Sequence, residues 1–256
     1  MDHTLIKTDN ELILKRRKKK KLEKLFMLFI LLIAMLSILC LKLPYFNVKN
    51  IQVYGNKSIT DKSIIAISNI YLGNNIFYID MKSSINSILS NPYISDVSIS
   101  RKLPSTININ VKERDAVYYG IYNNKYYVID QNGIVLQIRN DINGMKLIKL
   151  DGIDYSKCSV GKIIGDSDKR KLDAVSGLGD IIENSKAELN ITSVDVSNSA
   201  DIKVYFGSIY IKLGNASELD KKLNEALNIL SSNQLKGATG YIDVSFHGNP
   251  VFSIQK

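Results

Sequence analysis

Ser159-Val160-Gly161-Lys162 has the Ser-x-x-Lys spacing of penicillin-binding enzymes, in which a lysine activates a serine nucleophile. The Ser-Asp-Asn and Lys-Thr-Gly motifs that accompany it in those enzymes do not occur in this sequence. A turn glycine between two elements is the bland reason for Gly161. The two histidines, His3 and His247, stand on either side of the uncharged run Leu25–Leu41. They cannot share a metal or form a catalytic pair if that run crosses a membrane, and His247 beside Gly248 reads as a turn residue. Asp166 and Asp168 fall at a helix start, where negative charge meets the positive end of the helix dipole. Gly177-Leu178-Gly179 lies inside a helical pattern rather than after a strand, which excludes a dinucleotide loop. No catalytic residue, metal ligand or cofactor is expected, and no small-molecule substrate.

The elements that hold these residues begin with Leu25–Leu41 itself. At ~1.5 Å per residue, a helix of this run nearly crosses a ~30 Å hydrocarbon core. The preceding block, Lys15, Arg16, Arg17, Lys18, Lys19, Lys20 and Lys21, is followed after the run only by scattered lysines such as Lys42 and Lys49. The positive-inside rule then puts the N-terminus in the cytoplasm and the long C-terminal part outside. Lys42-Leu43-Pro44-Tyr45-Phe46 offers no small residue for a signal-peptide cut, and Leu39 stands where a lipoprotein needs a small residue before Cys40. The run therefore reads as an uncleaved anchor. Beside a span the basic block is topogenic rather than a nucleic-acid site. Much of the formal net charge of +9 lies in that tail, so the outer part is only mildly basic. Cys40 and Cys158 lie too far apart in context to pair, which argues against a disulfide-stapled secreted scaffold.

Beyond Pro44 the pattern reads strand, helix, helix, strand, strand. Val48, Ile51 and Val53 give the first strand. Thr60 caps a helix through Ser68, and Asp80 caps one from Met81 to Leu89. Val97 and Ile99, then Ile107, Ile109 and Val111, alternate across a hairpin turned at Leu103-Pro104-Ser105. From Ala116 the chain becomes strand-rich, with turns at Asn123-Asn124 and Asn132-Gly133. One helix lies between Ser167 and Asn184, weakened by Gly177 and Gly179, and a second is capped by Ser217 and left through Gly237. Two final strands, Tyr241–Phe246 and Asn249–Ile254, flank His247-Gly248. The class is α+β.

This order of elements resembles the bacterial cell-division family FtsQ, called DivIB in Gram-positive bacteria. The likeness is carried by Phe46–Asn56, by Asn91–Arg101, by Leu103–Arg114 and by Gly240–Val244. The family often has Pro after its Glu-Arg pair, where this chain has Asp115-Ala116, and an aromatic before the hairpin Pro, where it has Leu103. The resemblance implies a cytoplasmic basic tail (1–24), a transmembrane helix (25–43), a POTRA domain (44–115) and an extracytoplasmic β domain with two helices (116–256). It also implies a non-enzymatic, single-pass scaffold at the division septum, binding DivIC/FtsB-like and FtsL-like bitopic partners by strand addition at the C-terminal edge. Phe246 and Ile254 fall roughly where the family places aromatic contact residues. Val251 and Phe252, with Tyr241 and Ile242 on the preceding strand, complete the expected contact set. A POTRA-bearing envelope assembly or transport module is the alternative, and a cell-wall acyltransferase centred on Ser159 the remote one.

Overall fold

The computed structural model describes residues 3–165, 168–185, 189–232, 239–246 and 248–255, with side chains undescribed at 3–12, 40, 41, 232, 254 and 255. Asp166, Gly237 and His247 thus lie outside the described residues, as do the side chains of His3, Cys40 and Ile254. The chain separates into two compact units, Met1–Ser87 with Ser98–Asn110 and Ile88–Val97 with Val111–Lys256.

The first unit opens with helix α1, His3–Lys42. The tail expected over residues 1–24 is helical from His3. Leu, Glu, Lys and Arg are good helix formers, and extending a helix is cheap once a stable segment has nucleated it. Forty residues at 1.5 Å make about 60 Å, twice the hydrocarbon thickness, so the basic block rides on the same rod as the apolar run. Within α1, Ile13–Leu39 is long and apolar enough to cross a membrane and is exposed along its length. A single turn of 3-10 helix, Pro44–Phe46, leads to strand β1, Asn50–Tyr54.

Helix α2, Asp61–Ser68, starts where Thr60 accepts a hydrogen bond from the Ser63 amide, and it stops at Asn69 in the left-handed region. Helix α3, Met81–Leu89, starts at Asp80, whose carboxylate accepts from the Ser83 amide (3.0 Å). Strands β2, Ile94–Lys102, and β3, Thr106–Glu113, complete a three-stranded sheet in the order β1-β3-β2. β1 runs parallel to β3, Ile51 opposite Ile107 and Val53 opposite Ile109. Val48, Ile64, Ile70, Ile76, Ile107 and Ile109 are buried in this unit.

The second unit is built on nine strands: β4 (Ala116–Tyr122), β5 (Lys125–Asp130), β6 (Val135–Arg139), β7 (Ile148–Asp151), β8 (Ser193–Asp195), β9 (Ile202–Phe206), β10 (Ile209–Gly214), β11 (Thr239–Asp243) and β12 (Val251–Gln255). They form one sheet in the order β12-β11-β10-β9-β8-β7-β4-β5-β6. The β4–β5 hairpin turns at Asn123 and Asn124, both at positive φ (49° and 57°), as a two-residue turn matched to strand twist requires.

Helix α4, Lys169–Asn184, links β7 to the parallel β8, and helix α5, Leu219–Ser232, links β10 to the parallel β11. Parallel neighbours need such crossovers, and both helices add to one core on one face of the sheet. There Ala174, Val175 and Leu178 of α4 and Leu223 and Ala226 of α5 are buried with Val194, Val204, Ile211 and Ile242 of the strands. Asp168 caps α4 through the Arg170 amide. At α5 the residue before the helix is Glu218, at φ 52°, whose carbonyl accepts from the Lys222 amide. Ser217, expected as the cap, instead donates its amide and hydroxyl to Asn215 Oδ1, which closes its own turn.

Candidate partner-binding edge

The alternation of β9, β10 and β11 decides which side chains meet the helices and which are left for other contacts. Val204, Ile211 and Ile242 occupy one face in register and are fully buried. Tyr205, Tyr210 and Tyr241, equally in register, occupy the other, with neighbouring ring centroids 5.5 and 5.8 Å apart. Lys212 places its ammonium 4.7 Å from the Tyr241 ring centroid and 4.0 Å from the Asp243 carboxylate on the same open face. This tyrosine row was readable in the period-two pattern of Val204-Tyr205 and Ile209-Tyr210-Ile211, although sequence reasoning stopped at Tyr241.

β12 lies at one end of the sheet, paired antiparallel with β11 alone: Tyr241 faces Ser253, and Ile242 faces Phe252. Its outer side carries backbone groups with no strand partner among the described residues, the arrangement that accepts an added strand. The opposite edge is different. β6 is partly occupied, because the Val135 amide donates to the Lys162 carbonyl and the Gly161 amide to that of Val135 (2.9 and 2.8 Å). Pro250 immediately precedes β12, a position compatible with an edge strand because proline brings no ladder donor.

The expected contact residues divide on this frame. Val251 is 49% exposed and Phe252 55%, and Phe246, in the loop before β12, is 48% exposed. Ile254 pairs with Gly240 through its backbone, and its side chain lies outside the described residues. Tyr241 is half-buried in the tyrosine row. Ile242 is fully buried beneath α4 and α5, so its side chain has no surface to offer a partner. The one-residue step from Tyr241 to Ile242 crosses the sheet, and the strand's own alternation carries that distinction.

Ser159 and Lys162 sit in a turn in which the Lys162 amide donates to the Ser159 carbonyl (3.1 Å) and Gly161 adopts φ 79°. Both side chains are exposed and no hydrogen bond joins them. The same turn supplies the backbone groups that hold the start of β6, which explains its glycine without catalysis. Cys158 is half-buried and unpaired, and burial pushes its thiol above the ordinary value, away from a reactive thiolate. Among the described residues no group of three His, Cys, Asp or Glu could hold a metal.

A POTRA domain of FtsQ type matches residues 46–114, and the C-terminal domain of cell division protein FtsQ/DivIB matches residues 119–245. The chain is 42% identical over 257 residues to cell division protein DivIB of Clostridium botulinum strain Hall, covering all of both chains.

The chain belongs to the FtsQ/DivIB family of cell-division proteins.

It is also 47% identical over 251 residues to DivIB of Clostridium acetobutylicum, covering 98% of this chain and all of the relative. A third relative, DivIB of Clostridium tetani, is 44% identical over 248 residues, covering 96% of this chain and 94% of its own. The POTRA match contains the three-stranded sheet up to Glu113, and the C-terminal match contains β5 to β11 whole. Phe246 and β12 fall just past its last residue, 245.

Proposed function

We propose that this chain is a bitopic scaffold of the division machinery, held by α1 with its N-terminus in the cytoplasm. In this reading β12 takes a strand from a DivIC/FtsB-like partner and so helps to assemble it with an FtsL-like one at the septum. The observation that carries the reading is the contrast between the two ends of the nine-stranded sheet: β6 is engaged by residues 161–162, whereas β12 presents Val251 and Phe252 beside a backbone edge with no strand partner among the described residues. Main-chain bonds along such an edge supply affinity, and alternate side chains select the partner. The basic block Lys15–Lys21 on the N-terminal side of the apolar run supports the orientation. The tight turn at Ser159 supports a role in assembly rather than acyl transfer.

The test is to measure binding of the full-length chain in detergent to the purified outer segment of the DivIC-like partner. Phe246→Asp and Phe252→Asp alter exposed side chains, so circular dichroism should stay unchanged while affinity falls about tenfold or more, the size expected of an aromatic anchor. Unchanged affinity in both folded variants rejects β12 as the edge. A fluorescent fusion checks the wider reading, since a midcell ring supports the divisome role and an even envelope signal supports a general assembly module.

A further inference from the structure

The loop between α2 and α3 is fastened to the segment that leaves α1. The Ile76 amide donates to the Phe46 carbonyl, the Val48 amide to that of Asn74, and the Gly73 amide to that of Val48, all at 2.9 Å. An isolated bridge joins Asn47 to Asn75. The Phe46 and Phe77 rings lie 5.4 Å apart, and Tyr45 meets Phe46 edge-on at 5.2 Å. From the other side, the Arg101 guanidinium donates to the carbonyls of Ile76 (2.7 Å) and Ile79 (2.9 Å). Backbone bonds and a charged fork thus fix the loop.

Such a loop should hide its apolar side chains, and this one buries Ile76 but leaves its other large apolar side chains open. Tyr45 is 60% exposed, Tyr71 60%, Leu72 64% and Tyr78 68%, with Leu43 and Phe77 also open. An apolar set of this size on a rigid support marks an interaction surface. Its place in the chain names the occupant. α1 ends at Lys42 and the Leu43 amide still donates to the Leu39 carbonyl, so Tyr45 stands within about 10 Å of the helix end. Tyrosine with aliphatic neighbours is the composition of the membrane–water boundary, where the ring sits among acyl chains and the hydroxyl among headgroups.

We infer that the Tyr71–Tyr78 loop, with Leu43 and Tyr45, is an interfacial docking surface that seats the first unit on the bilayer α1 crosses. The inference rests on the reading of α1 as a membrane span. The covalent link holds the surface beside the lipid, so even weak interfacial affinity is effective.

The sequence contains no tryptophan, so single replacements report their own depth. The full-length chain is reconstituted in phosphatidylcholine–phosphatidylglycerol vesicles containing lipid spin-labelled near the headgroup. Leu72→Trp and Tyr78→Trp are compared with Tyr54→Trp, an exposed position at the far end of β1. Quenching at 72 and 78 several-fold stronger than at 54, with blue-shifted emission, supports the docking surface. Quenching at 72 and 78 no stronger than at 54 overturns it. An alkaline wash of the same vesicles separates the two readings. Chain that stays in the membrane without loop quenching sinks the docking surface alone, whereas chain released by the wash sinks the anchor on which it rests.

Discussion

Gly120 in β4 lies directly against the ring of Tyr155, so closely that a Cβ at position 120 would fall inside the ring's van der Waals surface. The ring is fixed on its other sides. Its hydroxyl donates to the Leu150 carbonyl (2.8 Å), and its centroid is 5.5 Å from that of Tyr127. Burial pushes the Tyr155 hydroxyl above the ordinary tyrosine value, so it stays a neutral donor at any physiological pH.

Gly120→Ala is therefore expected to destabilise the second unit by about 1–3 kcal/mol, the usual cost of overpacking a filled core. Urea unfolding followed by circular dichroism measures it. Gly120→Ala with Tyr155→Leu removes the clash and should recover part of the loss, whereas additive losses would show that the ring is not the obstacle.

Gly179 gives a case in which two effects predict opposite signs. Helix propensity alone says that Gly179→Ala in the middle of α4 gains up to about 1 kcal/mol. A Cβ there, however, would run into the backbone of Gln131, its carbonyl oxygen first. Backbone cannot swing aside as a flexible side chain can, so the contact wins and the variant should lower the melting temperature. Asp180→Ala, at an exposed position of the same helix, is the control that should leave it nearly unchanged or raise it slightly.

Asp168 accepts hydrogen bonds from the Arg170 guanidinium (2.9 Å) and amide and from the Ser199 hydroxyl (2.6 Å). These donors, Arg170 foremost, hold its carboxyl well below the usual carboxylate range. A depressed folded-state pKa contributes stability that is fully present above the unfolded value of about 3.9 and is lost as the pH falls through the folded one. Asp168→Ala should lower the melting temperature at pH 7, and the gap from the wild type should narrow below about pH 4. A gap that stays constant to pH 2 would contradict this assignment.

Arg101 ties Ile76 and Ile79 to β2 through two charge-assisted hydrogen bonds. Arg101→Ala should leave the three-stranded sheet folded but raise amide exchange across residues 71–79, where the loop loses one of its two supports. Hydrogen exchange read by mass spectrometry resolves the segment. Protection unchanged there would mean that the ladder to Phe46 and Val48 suffices alone.

What could be read from the sequence was what local chemistry decides. Thr60 and Asp80 announce their helices because a side-chain oxygen must meet orphan amides. Asn123-Asn124 announces its hairpin because both residues tolerate positive φ. Ser217 misled because serine and asparagine close small turns as readily as they cap helices, and here Asn215 claimed it. The parallel pairings of β1 with β3, β4 with β7 and β10 with β11 join strands far apart in sequence, and no periodicity within either strand encodes them. The same gap limited the candidate site. Alternation separates Tyr241 from Ile242, but which face α4 and α5 would cover, and hence that Ile242 is interior, follows only from the crossovers.

The Glu113-Arg114 pair belonged to the stretch that carried the family likeness, and the structure supplies its physical use. Arg114 Nη1 donates to Asp130 Oδ2 at 2.8 Å, while Asp130 Oδ1 accepts the amides of Asn132 (2.9 Å) and Ile134 (2.7 Å). Asp130 is almost completely buried, so both of its oxygens are spent on fixing the turn into β6 and holding the arginine. Asp130→Ala strands a partly buried guanidinium and two turn amides at once. It should cost about 3–5 kcal/mol, the range for breaking a buried pair from one side. Asp130→Asn keeps an acceptor for the turn amides but turns an NH2 donor toward Arg114, losing both the charge and that hydrogen bond, so it should cost less than Ala while still destabilising. Arg114→Met leaves the carboxylate its two amide donors and should fall between the two. Urea unfolding of the three variants orders them, and equal losses for Asn and Ala would show that the charge pair, rather than the turn, is what Asp130 holds.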